Sequence, residues 1–78
     1  MNRIKQIINF FIDEFTRLGI NIGCYYNGEL DSIYCYLRKN QYKRTAILSM
    51  SALRQAKDAE LLVVEFIGRV AYDFGEIK

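Results

Sequence analysis

The sequence contains no histidine, no proline and no tryptophan, and it has only two cysteines. Catalytic triads and dyads that use an imidazole base are therefore excluded, and so are histidine metal sites. Two cysteines do not supply the four ligands of a structural zinc site. The five glycines are scattered and form no phosphate-binding loop. We therefore expect a protein that is not an enzyme and that uses no metal and no cofactor.

Long apolar segments are also missing from the sequence. No run approaches the length of about 18 residues that a transmembrane helix needs. The chain carries Asp13 and Glu14 early and shows no small-residue cleavage site, which argues against a signal peptide. We expect a cytoplasmic protein that does not associate with membranes.

The composition indicates one globular domain over residues 1–78. Apolar residues make up 51% of the chain and charged residues 26%, with both signs interspersed, unlike a disordered chain. The net charge of +2 is too small to indicate a polyanionic partner by itself. A domain this short has a thin core and often relies on disulfides, a metal or self-association.

A first helix is predicted from Arg3 to Leu18, because apolar residues recur there at helical spacing. Asn2 can cap its start, and Gly19 in the left-handed conformation can end it. Asp13 and Arg17 are one turn apart and are expected to pair. The predicted apolar stripe consists of Ile4, Ile8, Phe11, Phe15 and Leu18.

Three strands are predicted to follow this helix. Residues 20–26 alternate between apolar and polar side chains, as in a strand with one buried face. Asn27-Gly28 is the dipeptide most typical of a two-residue hairpin turn, and it leads into a second strand over 30–38. A third strand is predicted over 42–48, after a basic turn.

The predicted two-residue turn also fixes the positions of the cysteines. It sets Ile22 opposite Ile33, so the apolar residues of both strands share one face. It separates Cys24 from the position opposite Cys35 by roughly 13 Å, at ~3.3 Å per residue. A disulfide requires Cα atoms within about 7 Å. We therefore expect two free thiols.

A second helical region is predicted over residues 51–74, with Gly75 at its end. Because Asp58 is itself a good helix cap, we expect a break near Lys57. The chain is therefore predicted to be an α+β domain of order α-β-β-β-α. In this fold a three-stranded antiparallel sheet carries two helices packed on one face.

Two surfaces stand out as candidates for binding. The outer sheet face and the basic turn combine tyrosines with cations, a combination found at protein interfaces and on base-stacking platforms. Ordinary solvent-exposed strand and turn residues are the third explanation of this pattern. The predicted partner-binding residues are Tyr25, Tyr34, Tyr36, Arg38, Lys39, Lys43 and Arg44.

The second candidate surface is a surplus of apolar residues on the helices. Phe10 and Ile12 lie outside the stripe of the first helix, and Leu61 and Val64 outside that of the second. Either the core wraps further around the helices, or these four residues form a self-association surface.

The order of elements is similar to that of a double-stranded-RNA-binding domain. The segment Arg54-Gln55-Ala56-Lys57-Asp58-Ala59 resembles the basic start of that family's second helix, which implies a role in RNA binding. The family's loop with glycine, proline and histidine has no counterpart, because the chain lacks proline and histidine. A shared order of elements does not by itself carry function.

The function expected from the sequence is that of a non-enzymatic protein-protein interaction module that self-associates. Its size and its composition suit an accessory protein of a phage or mobile element that binds and modulates a host protein, for example as an inhibitor. RNA or DNA binding through the tyrosines and the basic turn is an alternative. Sequestration of a small anionic ligand between protomers is another.

Overall fold

A computed structural model describes residues 3–75 of the chain. The three strands form one antiparallel sheet, in which they are ordered as they occur along the chain. The α+β class predicted from the sequence is confirmed, with the second helical region divided into two helices. The elements are α1 (Arg3–Arg17), β1 (Asn21–Asn27), β2 (Ser32–Lys39), β3 (Tyr42–Ser49), α2 (Met50–Gln55) and α3 (Ala59–Gly75).

α1 begins and ends close to the predicted positions. Gly19 adopts a φ of 81°, and the Ile20 amide donates to the Phe15 carbonyl at 2.9 Å, so the helix ends as expected. The predicted Asp13–Arg17 pair is wrong, because Arg17 bonds Glu14 instead. Positions three and four residues away are both neighbours on a helix surface, so the spacing alone did not decide between them. The predicted cap Asn2 lies outside the described residues.

The connection between β1 and β2 differs from the predicted two-residue turn. Residues 28–31 form the loop, and Tyr26 lies opposite Ile33 instead of Glu29. The Asn27 side chain accepts the amides of Glu29 and Leu30 at 3.0 and 3.1 Å. Because this side chain holds the backbone in a wider turn, Asn27-Gly28 does not close the hairpin.

The loop continues to Asp31, which adopts a φ of 51°. Its carboxylate accepts hydrogen bonds from the Tyr26 hydroxyl, at 2.5 Å, and from the Arg54 guanidinium. Its backbone carbonyl accepts from the Met50 amide at 3.0 Å. Asp31 therefore ties the loop to β1 and to α2.

The wider loop changes the register of β1 against β2 but leaves the side chains on the faces of the sheet that the sequence predicted. The pairing is displaced by four residues relative to the prediction, as the Tyr26–Ile33 pair shows. An even displacement leaves each side chain on the same face of the sheet. The predicted separation of the cysteines is wrong, however, because Cys24 lies directly opposite Cys35. Their Sγ atoms are 3.6 Å apart, and both thiols are free.

The second helical region is interrupted where the sequence predicted. α2 ends at Gln55, and the Asp58 side chain accepts the Leu61 amide at 3.1 Å to cap the start of α3. Ser49 caps α2 in the same way, by accepting the Ala52 amide at 3.3 Å. The core lies between the inner sheet face and the helices. It contains Phe11, Phe15, Ile20, Ile33, Cys35, Leu37, Ala46, Leu48, Met50, Leu53, Val63, Phe66, Ile67, Val70 and Phe74.

Candidate partner-binding surface

The outer face of the sheet brings three tyrosines together. Tyr25 of β1 is the direct cross-strand neighbour of Tyr34 in β2, and Tyr36 follows two residues later on the same face. The Tyr25 ring is nearly parallel to both, at 19° to Tyr34 and 13° to Tyr36, with centroid distances of 5.5 and 5.9 Å. These rings form what we call the tyrosine stack. Offset parallel rings at such distances attract one another.

The hydroxyl groups of the stack are also linked. Tyr25 Oη and Tyr36 Oη are 3.5 Å apart on the exposed side of the rings. This hydrogen bond, followed by burial and the neighbouring phenols, raises the pKa of Tyr36. Tyr25 and Tyr36 are both exposed, while Tyr34 is half-buried. The stack therefore exposes Tyr25 and Tyr36, together with their paired hydroxyl groups, to the solvent.

Two cations lie beside the stack. Arg38 and Lys43 are direct partners across β2 and β3, and both are exposed. Neither forms an ion pair within residues 3–75. Like charges in directly opposite positions destabilise a sheet, so this pair does not contribute to folding.

The third strand completes this surface with Thr45 and with Ile47, which is 51% exposed. None of the outward-facing residues of the three described strands is acidic, so the surface carries one sign of charge. We call it the tyrosine face. It consists of Tyr25, Tyr34, Tyr36, Arg38, Lys43, Thr45 and Ile47.

The other two predicted basic residues do not lie on the tyrosine face. Strand alternation turns Lys39 and Arg44 towards the inner side of the sheet. The Arg44 Nη1 atom is 2.6 Å from an Asp73 carboxylate oxygen, so this arginine ties β3 to α3. Lys39 is half-buried opposite Tyr42, next to a turn in which Asn40 has a φ of 58°. The predicted basic turn therefore divides between the two sides of the sheet.

The predicted self-association residues are also divided. Phe10 of α1 and Val64 of α3 line a common groove of about 450 Å³ between the two helices. Leu61 is exposed on α3, and Ile12 is half-buried and does not line this groove. The rest of the groove lining is Arg3, Gln6, Ile7, Leu53, Ala59, Glu60 and Val63.

Sequence reasoning missed two features of the molecule. One is the Cys24–Cys35 pair, because the assumed turn displaced it. The other is the position of Asp31, whose hydrogen bonds from Tyr26 and then Arg54 lower the pKa of its carboxyl. An Asn27 side chain that accepts backbone amides was the signal that could have found both.

The segment that resembles the start of an RNA-binding helix spans the end of α2, the residues between the helices and the first residue of α3. Arg54 lies in the last turn of α2 and bonds Asp31, and Lys57 falls between α2 and α3.

Residues 3–75 hold no group of three or more side chains that could bind a metal. No helix among them combines the length and the apolar character needed to cross a membrane. The chain matches no protein-family model, and neither a curated protein nor a solved structure is significantly similar to it.

Proposed function

We propose that this chain is a non-enzymatic protein-interaction module and that the tyrosine face binds its partner. The observation that carries the proposal is the union of a stacked tyrosine trio with the unpaired cations Arg38 and Lys43. Tyrosine and arginine are enriched among residues that dominate interface energies. The partner that fits has an apolar patch next to acidic side chains.

The stacking geometry favours a protein over a nucleic acid. A base-stacking platform needs free aromatic faces. Here the Tyr25 ring is already stacked against Tyr34 and against Tyr36, so a base that stacked on Tyr25 would compete with these two contacts. A tyrosine set fixed in advance suits a protein interface, because little conformational entropy is lost on binding.

The distribution of cations supports the same choice. Three arginines elsewhere are already paired, Arg17 with Glu14, Arg44 with Asp73 and Arg54 with Asp31. Only two cations remain on the tyrosine face, which is few for a nucleic-acid interface, since affinity for nucleic acids comes largely from phosphates neutralised by lysine and arginine.

Binding of a small anion within one protomer, in the groove between α1 and α3, has less support. The groove between α1 and α3 contains Glu60 as well as Arg3, and apolar side chains make up most of its lining. The carboxylate offsets the guanidinium, so the groove offers no excess of positive charge.

The test compares two lysine reversals that change the net charge equally. Lys43→Glu alters the tyrosine face, and Lys57→Glu alters an exposed lysine between α2 and α3. We expect Lys43→Glu to reduce capture of the partner from cells of origin by about tenfold, because it places an acid against the acidic side of the partner. Lys57→Glu should bind like the original chain, and nuclease treatment should change nothing.

Site-specific photo-crosslinking gives the second readout. A photoreactive side chain at Tyr36, on the tyrosine face, should crosslink to the captured partner next to acidic residues. The same group at Leu30, which is exposed in the β1–β2 loop, should not. Equal capture by both lysine variants, or loss of the complex on nuclease treatment, would rule the proposal out.

A further inference from the structure

α3 has apolar side chains on both faces. Its inner face is buried in the core. Its outer face carries Leu61, Val64, Gly68 and Tyr72, spaced so that they line one side of the helix. We call these residues the outer stripe. Its three large side chains are 52%, 55% and 68% exposed, in chain order. Exposed apolar side chains that are grouped on one side of a helix and bordered by charged residues mark a surface that binds a partner.

Gly68 lies in the middle of the outer stripe. Glycine inside a helix lowers stability relative to alanine, so its presence needs a reason. A Cβ atom added at Gly68 would meet no atom within 4 Å, so no contact in the described part of the chain requires a glycine there. A second helix that crossed close to this point would supply that reason, since a missing side chain lets two backbones approach.

Two charges border the outer stripe. Glu65 and Arg69 are four residues apart, so they lie on the same flank of the helix. Neither forms an ion pair in the part of the chain that the structure describes. The flank therefore carries both signs of charge in a fixed order along the helix.

We propose that the outer stripe binds the outer stripe of a second copy of this chain, with the two α3 helices antiparallel. A two-fold axis close to Gly68 brings the same flank of each helix together. Leu61 then faces the partner's Tyr72, and Glu65 lies beside the partner's Arg69, twice by symmetry. A parallel arrangement sets identical residues at the same height and loses both charge pairs.

The charges beside the outer stripe favour a second copy of this chain as its binding partner. In an antiparallel pair, the flank that carries Glu65 and Arg69 is complementary to the same flank of the other copy. A partner whose charges had only one sign would not require both signs on this flank. The proposed dimer contact involves α3 and not the tyrosine face, so either proposal can fail while the other holds. It also narrows the predicted self-association residues to Leu61 and Val64, and it adds Gly68 and Tyr72.

The test is a charge exchange followed by sedimentation of the intact protein over a series of concentrations. Glu65→Arg sets two arginines against each other at each charge contact, and Arg69→Glu sets two glutamates against each other. We expect either change to weaken self-association by about tenfold or more, because both charge contacts become repulsive. Mixing the two variants should restore a dimer, since each repulsive contact becomes attractive. Lys57→Glu serves as the control and should dimerise like the original chain.

Gly68→Gln separates association from folding. Glutamine is a good helix former, so the melting temperature of the dilute protein should rise while dimerisation weakens. The proposal is overturned if the original chain stays monomeric throughout the series, or if both charge variants dimerise normally. It is overturned equally if mixing restores nothing, or if Gly68→Gln leaves dimerisation unchanged.

Discussion

The tyrosine face and the outer stripe of α3 both expose apolar side chains, but they differ in their charges. Arg38 and Lys43 give the tyrosine face a single sign, and no acidic residue shares it. The outer stripe is bordered by Glu65 and Arg69, which have opposite signs. A surface of one sign repels its own copy, whereas a surface with both signs in the right order can pair with itself. We therefore assign the tyrosine face to a different protein and the outer stripe to a second copy.

A disulfide between the two cysteines should change the free energy of unfolding more than any other change described below. It affects the sheet beneath the tyrosine face and leaves the outer stripe of α3 untouched. Cys24 and Cys35 lie on the inner side of β1 and β2, behind the tyrosine stack, with their Sγ atoms 3.6 Å apart. Opposite Cα atoms in an antiparallel pair are about 4.5–5.5 Å apart, within the range of a disulfide. The hydrogen bond with Cys35 lowers the pKa of Cys24, which favours Cys24 as the attacking thiolate.

We expect oxidised glutathione to convert the two thiols into an intramolecular disulfide, while it is reduced to two glutathione thiols. Closing this loop should stabilise the fold by about 3 kcal/mol. The midpoint of urea unfolding and an intact mass lower by two hydrogen atoms measure the change. Self-association should not respond, because α3 is untouched. A stable glutathione adduct, or no gain in stability, would show that the thiols are not placed as described, and Cys24→Ser is the control.

Removing the central ring of the stack should cost less than the disulfide gains. Tyr25→Ala deletes both stacked contacts, each of which is worth about 0.5–1.5 kcal/mol. We expect a loss of roughly 1–3 kcal/mol in the free energy of urea unfolding, together with weaker partner capture. Tyr72→Ala should instead weaken self-association with a smaller loss of stability. If the two variants had the same effects, the distinction between the surfaces would be lost.

Adding one methyl group to the outer stripe should have a smaller effect. Gly68→Ala is expected to raise the unfolding free energy of the dilute, monomeric protein by about 0.5–1 kcal/mol, because alanine favours the helix. Apart from the backbone of α3 itself, no atom of residues 3–75 lies within 4 Å of the new Cβ. Thermal unfolding at low concentration measures the gain. A loss of stability there would mean that Gly68 serves the fold and not an interface.

The smallest predicted effect is on the pH dependence of stability. It arises from the loop between β1 and β2, which sets the pairing register of these strands. Bonds from Tyr26 and Arg54 lower the pKa of Asp31. The stability that they contribute is present above the unfolded pKa of about 3.9 and is lost as the pH falls through the lower folded value. Asp31→Asn should flatten this acid dependence in urea unfolding measured from neutral to acid pH. An unchanged pH profile would contradict a role for this carboxylate.

Patterning predicted the faces of the sheet better than it predicted the register. Alternation alone placed Tyr25, Tyr34 and Tyr36 on one side, and an even displacement of the pairing preserved that result. The predicted two-residue turn was wrong, because the Asn27 side chain accepts hydrogen bonds from backbone amides of the loop. Propensity rules for a dipeptide do not include such a bond.

The candidate surfaces were predicted in part for a similar reason. Alternation along β3 places Lys43 on the outer face of the sheet and Arg44 on the inner face. The ion pair between Arg44 and Asp73 depends in addition on where α3 packs. Leu61 and Val64 stood out as surplus apolar residues. Gly68 became informative only when the space around it was known, since a sequence does not show whether a glycine is crowded.

The division between the two surfaces can be tested directly by recording amide NMR spectra of the protein over a dilution series. We predict concentration-dependent shifts at α3 residues 61–72, with the amides of Tyr25, Tyr36 and Lys43 unchanged. Shifts on the tyrosine face, or no shifts on α3, would contradict the assignment of one surface to a second copy and the other to a different protein.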